Sequence, residues 1–302
     1  MPQVSVIIVS MNRPDILFPC LNSIRKHTTI SYETLVVAYL YSADNLALLR
    51  EKYPWVRVVE SNETRGFSEN NNLALRVAQG RYCFVVNDDT IEDEPVIDRL
   101  VADMEKLPGE AAAISPRIVF ADGRVQTCGR APWSRWRYFL HYIHLVDESR
   151  ISRYNRPEGL FKTYTLNGAC FLIKTEEFRR AGWFDERFFF TPEDIALGHM
   201  LNKMGYSVWA DADVTITHLA GGSVRAMEQA IKPARVRGNM IFYGEPFFLK
   251  CFIWCFECIR AGKYIFLPRS PRNVIMRNTA RNVMHSVFSD VAPKELFIKY
   301  RP

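Results

Sequence analysis

Short, mostly apolar runs alternate along the chain with stretches whose apolar positions recur every three or four residues. VSVIIVS (4–10), ETLVVAY (33–39), VRVVES (56–61), RYCFVV (81–86) and AAAISPRIVF (111–120) have the length and β-branched content of buried strands. Between them, residues 14–27, 43–53, 67–79 and 94–107 carry helical spacing, and Gly80 and Pro108-Gly109 stop the third and fourth of these helices. Val- and Ile-rich strands separated by helices predict βαβ units on a largely parallel α/β sheet. Such a sheet binds ligands beyond the carboxyl ends of its strands. Ser10-Met11-Asn12-Arg13 lies at one such end and Asn87-Asp88-Asp89 at another.

Residues 121–165 are irregular, aromatic and interleaved with basic groups. NGACFLIKTEEFRRAG (167–182) then reads as a strand, Thr175 as a helix cap, a short helix, and Gly182 as its stop. In WFDERFFFTPEDIALGHMLNKMG (183–205), Thr191 and Pro192 open a helix with Glu193 and Asp194 in its first turn, and Gly205 closes it.

The acidic turn in CFVVNDDTIEDE (83–94) asks for an explanation. Repulsion and desolvation both oppose adjacent carboxylates at the end of a buried strand unless a cation or polar ligand sits there. Two readings stand: a solvated turn that starts the next helix, or a site for a divalent cation with oxygen ligands. Position alone favours a plain helix start for Glu193 and Asp194, since acid at a helix N-terminus is itself stabilising.

Composition places the chain among ordinary globular proteins: 302 residues, 48% hydrophobic and 24% charged, with no low-complexity tract or repeat. The charge is uneven. Residues 221–302 hold 14 Lys+Arg against 5 Asp+Glu, leaving 25 against 28 for the first 220. A near-neutral body with a basic tail suggests a catalytic domain attached to something that meets an anionic surface. Seven cysteines, mostly inside apolar runs, suggest reduced thiols in a cytoplasmic protein. There is no basic n-region of a signal peptide and no apolar stretch of membrane-spanning length. Cys251, Cys255 and Cys258 have the C-x3-C-x2-C spacing of certain iron–sulfur sites. They lie in the aromatic helical stretch KCFIWCFECIR, where i, i+4, i+7 spacing puts core or lipid-facing thiols on one helix face.

Taken together, VSVIIVSMNRPD, RGFSENNNLAL, VVNDDT and the run from NGACFLIKTEE to ITHLAGGS resemble the family 2 inverting glycosyltransferases of the GT-A fold. The similarity is strongest to a rhamnosyltransferase-like branch and covers roughly residues 3–225. It implies a GT-A type Rossmann-like sheet flanked by helices in a catalytic domain, 1–225, and a basic, aromatic helical appendage, 226–302. It further implies transfer of a sugar from a nucleoside-diphosphate donor to a hydroxyl of a cell-surface glycan or glycolipid.

The resemblance assigns roles residue by residue. Asp89 matches the Asp that holds Mn²⁺ or Mg²⁺, with Asp88 beside it, and His218 matches a His that completes the metal shell in some relatives. Asn87 and Asp88 match donor-facing positions; Ser10, Asn12 and Arg13 match the first nucleotide loop, and Gly66, Asn71 and Asn72 the second. Asp194 matches the general base, leaving Glu193 and Trp183 for the acceptor. Two departures concern specificity: Ala38 stands where the family usually has a base-reading Asp, and Ala196 where it tends to have a second Asp after the pair.

Such residues suit the reaction. A cation neutralises the charge that collects on a departing diphosphate, and a carboxylate takes the acceptor proton during an in-line, inverting displacement. Two rivals are a metal-dependent nucleotidyltransferase, which the glycine-free loop 10–13 argues against, and a catalytically weakened sugar-nucleotide-binding module. The stretch 245–272 is apolar and aromatic, broken by Lys250, Glu257 and Arg260. It predicts peripheral attachment to the inner face of the cytoplasmic membrane beside a lipid-linked acceptor, with no nucleic-acid partner. The competing expectation is a helical appendage packed on the catalytic domain or on a dimer partner in a homodimer.

Overall fold

A computed structural model describes residues 1–147, 150–219, 227–268 and 270–301. The chain packs as two compact units, one formed by Met1–Pro132, Glu148–Asp185 and Asp194–Ala220, the other by Trp133–Asp147, Glu186–Glu193 and Gly221–Pro302. The domain boundary expected at 225/226 lies outside the described residues.

The first unit begins β1 (Val4–Ser10), α1 (Pro14–His27), β2 (Tyr32–Tyr39), α2 (Ala43–Lys52), β3 (Val56–Ser61), α3 (Phe67–Leu75), β4 (Tyr82–Asn87). These ranges follow the apolar runs to within a residue or two, except that α3 stops short of its expected end at 79. Strands β3, β2, β1 and β4 lie side by side and parallel, with Ser10 level with Ala38 and Val9 with Asn87. This register brings the ends of β1, β2 and β4 to one edge, as the βαβ pattern requires.

The unit continues β5 (Thr90–Ile91), α4 (Val96–Lys106), β6 (Ala111–Phe120), β7 (Val125–Thr127), β8 (Leu160–Thr163), β9 (Cys170–Lys174), α6 (Thr175–Arg180), α7 (Glu193–Lys203) and β10 (Ser207–His218). α5 (Arg135–Tyr142) intervenes in sequence and belongs to the second unit. The sheet is mixed: β9 runs antiparallel between β4 and β6, β10 is parallel to β6, and β5, β7 and β8 pair antiparallel. Alternate strand residues feed two cores. On one face Val4, Val6, Ile8, Phe84 and Val86 meet α1 and α4. On the other Ile7, Val37, Val85, Phe171 and Ile173 meet α3, α6 and α7.

Three local expectations change. Thr175 is the first residue of α6 rather than its cap, because its hydroxyl donates to Gly80 O at 2.7 Å. β5, only two residues long, was not visible in the acidic run. α5 forms in the stretch read as irregular, capped by Ser134, whose hydroxyl oxygen accepts from Arg137 N at 3.1 Å. Gly182 and Gly205 do stop their helices, both at positive φ (87° and 86°), which an L side chain disfavours.

The second unit is α5 with α8 (Glu228–Phe242), α9 (Phe247–Phe266), α10 (Pro271–Ser286) and α11 (Pro293–Tyr300). Tyr138, Tyr142, Val236, Met240, Ile253 and Val283 form its main core. A smaller cluster joins Phe189, Ile231, Ala234 and Phe297.

Candidate active site

The acidic turn and His218 come together because of β5. Thr90 and Ile91 pair antiparallel with His218 and Thr217, and Leu219 N donates to Asp89 O at 2.8 Å. The end of β10 is thereby folded back onto the end of β4. His218 Nε2 lies 3.0 Å from Asp89 Oδ1 and 3.4 Å from Asn87 Nδ2. On the other side of the ring, His218 Nδ1 is 2.8 Å from Gln126 Oε1 in β7. An amide oxygen can only accept, so Nδ1 donates to Gln126, and Nε2 is the ring nitrogen that faces Asp89. Gln126 has no sequence signal of its own; only the pairing of β7 with β6 places it there.

Asp88 faces elsewhere. Burial pushes its carboxyl up to about 6, with the charge of Asp89 adding to the rise, against a hydrogen bond from Ser10 and the charge of Arg13. Among the described residues no three His, Cys, Asp or Glu side chains converge as a metal cluster, so Asp88 does not complete a triad with Asp89 and His218. Ser10 also sits 2.9 Å from the Tyr41 hydroxyl, which rises from the end of β2 beyond Ala38. Arg13 pairs with Asp15 at 2.9 Å on the exposed rim.

The other expected donor residues are engaged in the fold. Asn12, at φ 51°, accepts from Ser42 N at 3.0 Å and Asn45 Nδ2 at 2.9 Å and so ties the first loop to the start of α2. Gly66 N donates to Glu69 Oε2 at 3.1 Å in the cap of α3. Asn71 bonds back to Phe67 O at 2.9 Å. Asn72 is buried and bridges both main-chain groups of Phe184, at 2.9 and 3.1 Å. These bonds fix the shape of the loops that carry them.

Asp194, in the first turn of α7, is buried and held on three sides. Its Oδ2 accepts from Arg130 Nη1 at 2.6 Å and Gly168 N at 3.1 Å, and its Oδ1 accepts from Ile195 N at 2.8 Å. Its carbonyl accepts from Thr165 Oγ1 at 2.8 Å. The 167–169 turn links the two halves of the site: Gly168 N meets Asp194, while Ala169 O accepts from Asn87 N at 2.9 Å. Arg130 was not foreseen, since the aromatic stretch after 121 gives no hint that it turns toward α7. Glu193 is buried. Trp183 packs edge-on against Phe178, 5.3 Å between ring centres, with Arg179 over it at 5.8 Å.

Residues 5–175, more than half of the chain, match the profile of Glycosyl transferase family 2. The chain belongs to that family. Among curated relatives, it is 27% identical over 230 residues to the O-antigen biosynthesis protein RfbC of Myxococcus xanthus, covering 74% of this chain and 18% of that protein. It is also 27% identical over 198 residues to an N-acetylglucosaminyl-diphospho-decaprenol L-rhamnosyltransferase of Mycobacterium tuberculosis, covering 58% and 62%. The chain therefore spans less than two thirds of either relative.

Solved structures share the GT-A fold of this family 2 chain at low sequence identity. A mannosyltransferase from Pyrobaculum calidifontis, in complex with GDP-Man and Mn²⁺, superposes with a TM-score of 0.56 at 16% identity, covering 99% of this chain and 74% of that one. GalNAc-T7 with UDP, GalNAc and Mn²⁺ gives 0.58 at 14%, covering 99% and 56%.

Asp89 Oδ1 and His218 Nε2, 3.0 Å apart, are close enough for both to reach one divalent cation. A carboxylate oxygen and an imidazole nitrogen converge, and the ring's far nitrogen is fixed by an acceptor, the arrangement of a metal-ligating histidine.

Proposed function

We propose that this protein is a metal-dependent, inverting glycosyltransferase that moves a sugar from a nucleoside-diphosphate donor to a hydroxyl of a cell-surface glycan or lipid-linked precursor. The observation that carries the reading is the convergence of Asp89, His218 and Asn87 at the carboxyl end of β4, inside a family 2 chain. The names of the curated relatives, one an O-antigen biosynthesis protein and one an L-rhamnosyltransferase, support polysaccharide assembly and make rhamnose the first sugar to test.

Asp89 and His218 would hold Mn²⁺ or Mg²⁺, and the bound cation would neutralise charge on the diphosphate leaving group. Ser10, Arg13, Asn87 and Asp88 line the donor side, where Arg13 brings the positive charge nearest Asp88. Asp194 takes the proton of the acceptor hydroxyl. Arg130 and Gly168 N–H hold its Oδ2, so the carboxylate is fixed in orientation before an acceptor arrives. Glu193 and Trp183 are assigned to the acceptor side. Ala38 carries no base-reading carboxylate, and Tyr41, reaching Ser10, is the polar group at the end of β2 that stands nearest that role.

The test is nucleoside-diphosphate release from a panel of nucleotide sugars, with and without chelator, by the intact protein and by Asp89→Ala. The reading expects release that needs Mn²⁺ or Mg²⁺ and is abolished in the variant. Full activity in excess chelator overturns the metal assignment, and no release from any donor overturns the reaction class.

A further inference from the structure

α9 is polarised the wrong way round for a helix of a water-soluble surface. Its face toward the second unit's core carries Leu249, Ile253 and Glu257, and Glu257 is wholly buried, 0% exposed. That carboxylate accepts from the Tyr142 hydroxyl, lies 3.2 Å from Lys232 Nζ and 2.6 Å from Arg260 Nη2. Lys250, another charge expected to break the apolar run, turns to Glu245 at 2.5 Å. Lys250, Glu257 and Arg260 are thus paired inside the unit, and the outward stripe is apolar. Phe248 and Ile259 are 78% and 74% exposed, and Phe252 and Cys255 lie between them at helical spacing on the same stripe. Trp136 of α5 extends the patch, its ring centre 5.5 Å from that of Phe252. A cleft of about 240 Å³ opens beside them, with Arg135 at its edge.

A monomer does not leave an aromatic face of this extent to water without a partner. Charge decides what the partner is. Of the seven Lys+Arg from Pro246 to Ser289, Lys250 and Arg260 pair inside the unit, Lys263, Arg272 and Arg281 are exposed, and the one acidic residue is the buried Glu257. A second copy docking through this face would set two basic surfaces against each other. An anionic bilayer complements both the apolar stripe and its basic surroundings. The helix has 20 residues, and no helix among the described residues is long and apolar enough to cross a membrane. It therefore lies along a bilayer rather than through it.

We propose that α9 is an in-plane membrane anchor, docking on anionic phospholipid with the Phe248–Phe252–Cys255–Ile259 stripe inserted among the acyl chains and the charge cluster at Glu257 facing the protein. The proposal stands apart from the reading of the active site.

It is tested by sedimenting the full chain with vesicles of phosphatidylcholine alone or mixed with phosphatidylglycerol. Phe248→Glu and Ile259→Glu alter exposed positions, and an unchanged thermal melt checks their fold. An environment-sensitive fluorophore on Cys255, in a Cys251→Ala/Cys258→Ala background, reports insertion without adding charge. The expected result is pelleting with the mixed vesicles only, a drop in bound protein of about tenfold or more for each Glu variant, and a blue shift of the Cys255 probe on binding. Failure to bind mixed vesicles, equal binding by wild type and folded Glu variants, or a probe that stays in water overturns it. So does a dimer in light scattering that the Glu variants dissociate.

Discussion

Glu92 offers a measurable consequence of the fold that no sequence pattern announces. It follows β5, its main-chain N–H donates to Ser23 Oγ at 3.1 Å, and its side chain is carried inward to 2% exposure. Neither carboxyl oxygen has a hydrogen-bond partner among the described residues. Burial, with the charge of Asp98 adding to it, pushes the carboxyl from 4.5 up to about 8. The sign follows from proton counting. Above pH 4.5 the unfolded chain releases the proton while the folded chain keeps it, so stability falls as pH rises and levels off beyond about 8. At about 1.4 kcal/mol per pKa unit, the penalty is about 1 kcal/mol at pH 5 and about 3 kcal/mol at pH 7.

Glu92→Gln keeps the shape, cannot ionise, and leaves a similar unpartnered polar group. Its absolute stability therefore matters less than its slope. In urea unfolding followed between pH 5 and 7.5, the wild type should lose about 3 kcal/mol relative to the variant. Parallel profiles for the two proteins would refute the argument and mean that the carboxylate is hydrated or paired when ionised.

Gln126→Ala frees His218 to rotate or change tautomer, and should weaken Mn²⁺ affinity by about 10–100-fold; unchanged titration of metal into the variant counts against the assigned Nδ1 contact. Gly198→Ala would put a Cβ 2.3 Å from Thr165 Oγ1 and 2.8 Å from its main-chain Cα. α7 must then shift at its Thr165–Asp194 contact, with an expected loss of about 1–3 kcal/mol in chemical denaturation. Asp194→Asn removes the basicity together with one of the two oxygens that accept from Arg130, Gly168 N and Ile195 N, and should lower turnover by about 10²-fold or more with donor affinity nearly unchanged. If Glu193→Gln instead abolishes turnover and Asp194→Asn does not, the two roles are exchanged.

The parallel half of the sheet was legible because a strand buried on both faces is mostly apolar, as Val4–Ser10 and Tyr82–Asn87 are apart from Ser5 and their last residues. The antiparallel insertions were not, since an apolar run such as Cys170–Lys174 reads the same in either direction. Asp89, His218 and Asp194 were singled out only through resemblance, because adjacent acids in a turn and acids in a first helical turn also have ordinary structural explanations. Their partners, Gln126 and Arg130, come from residues 121–132, where neither periodicity nor motif marks them. Polar groups positioned by tertiary pairing leave no local trace.

The C-terminal helices show a different limit. Lys250, Glu257 and Arg260 read in sequence as interruptions of an apolar segment. The fold pairs all three inside the second unit. Glu257 Oε1 accepts from Tyr142 of α5 and from Lys232 of α8, and Oε2 is ion-paired with Arg260 of its own helix. Burial lowers Lys232 to about 8, against the pull of Glu257 in the other direction, so the cluster carries an electrostatic penalty that an apolar core would not. A helix that keeps its carboxylate inside and its phenylalanines outside is unfavourable in water alone. Placed on a lipid surface, the same arrangement removes the outward phenylalanines from water, while the charge cluster stays inside the unit.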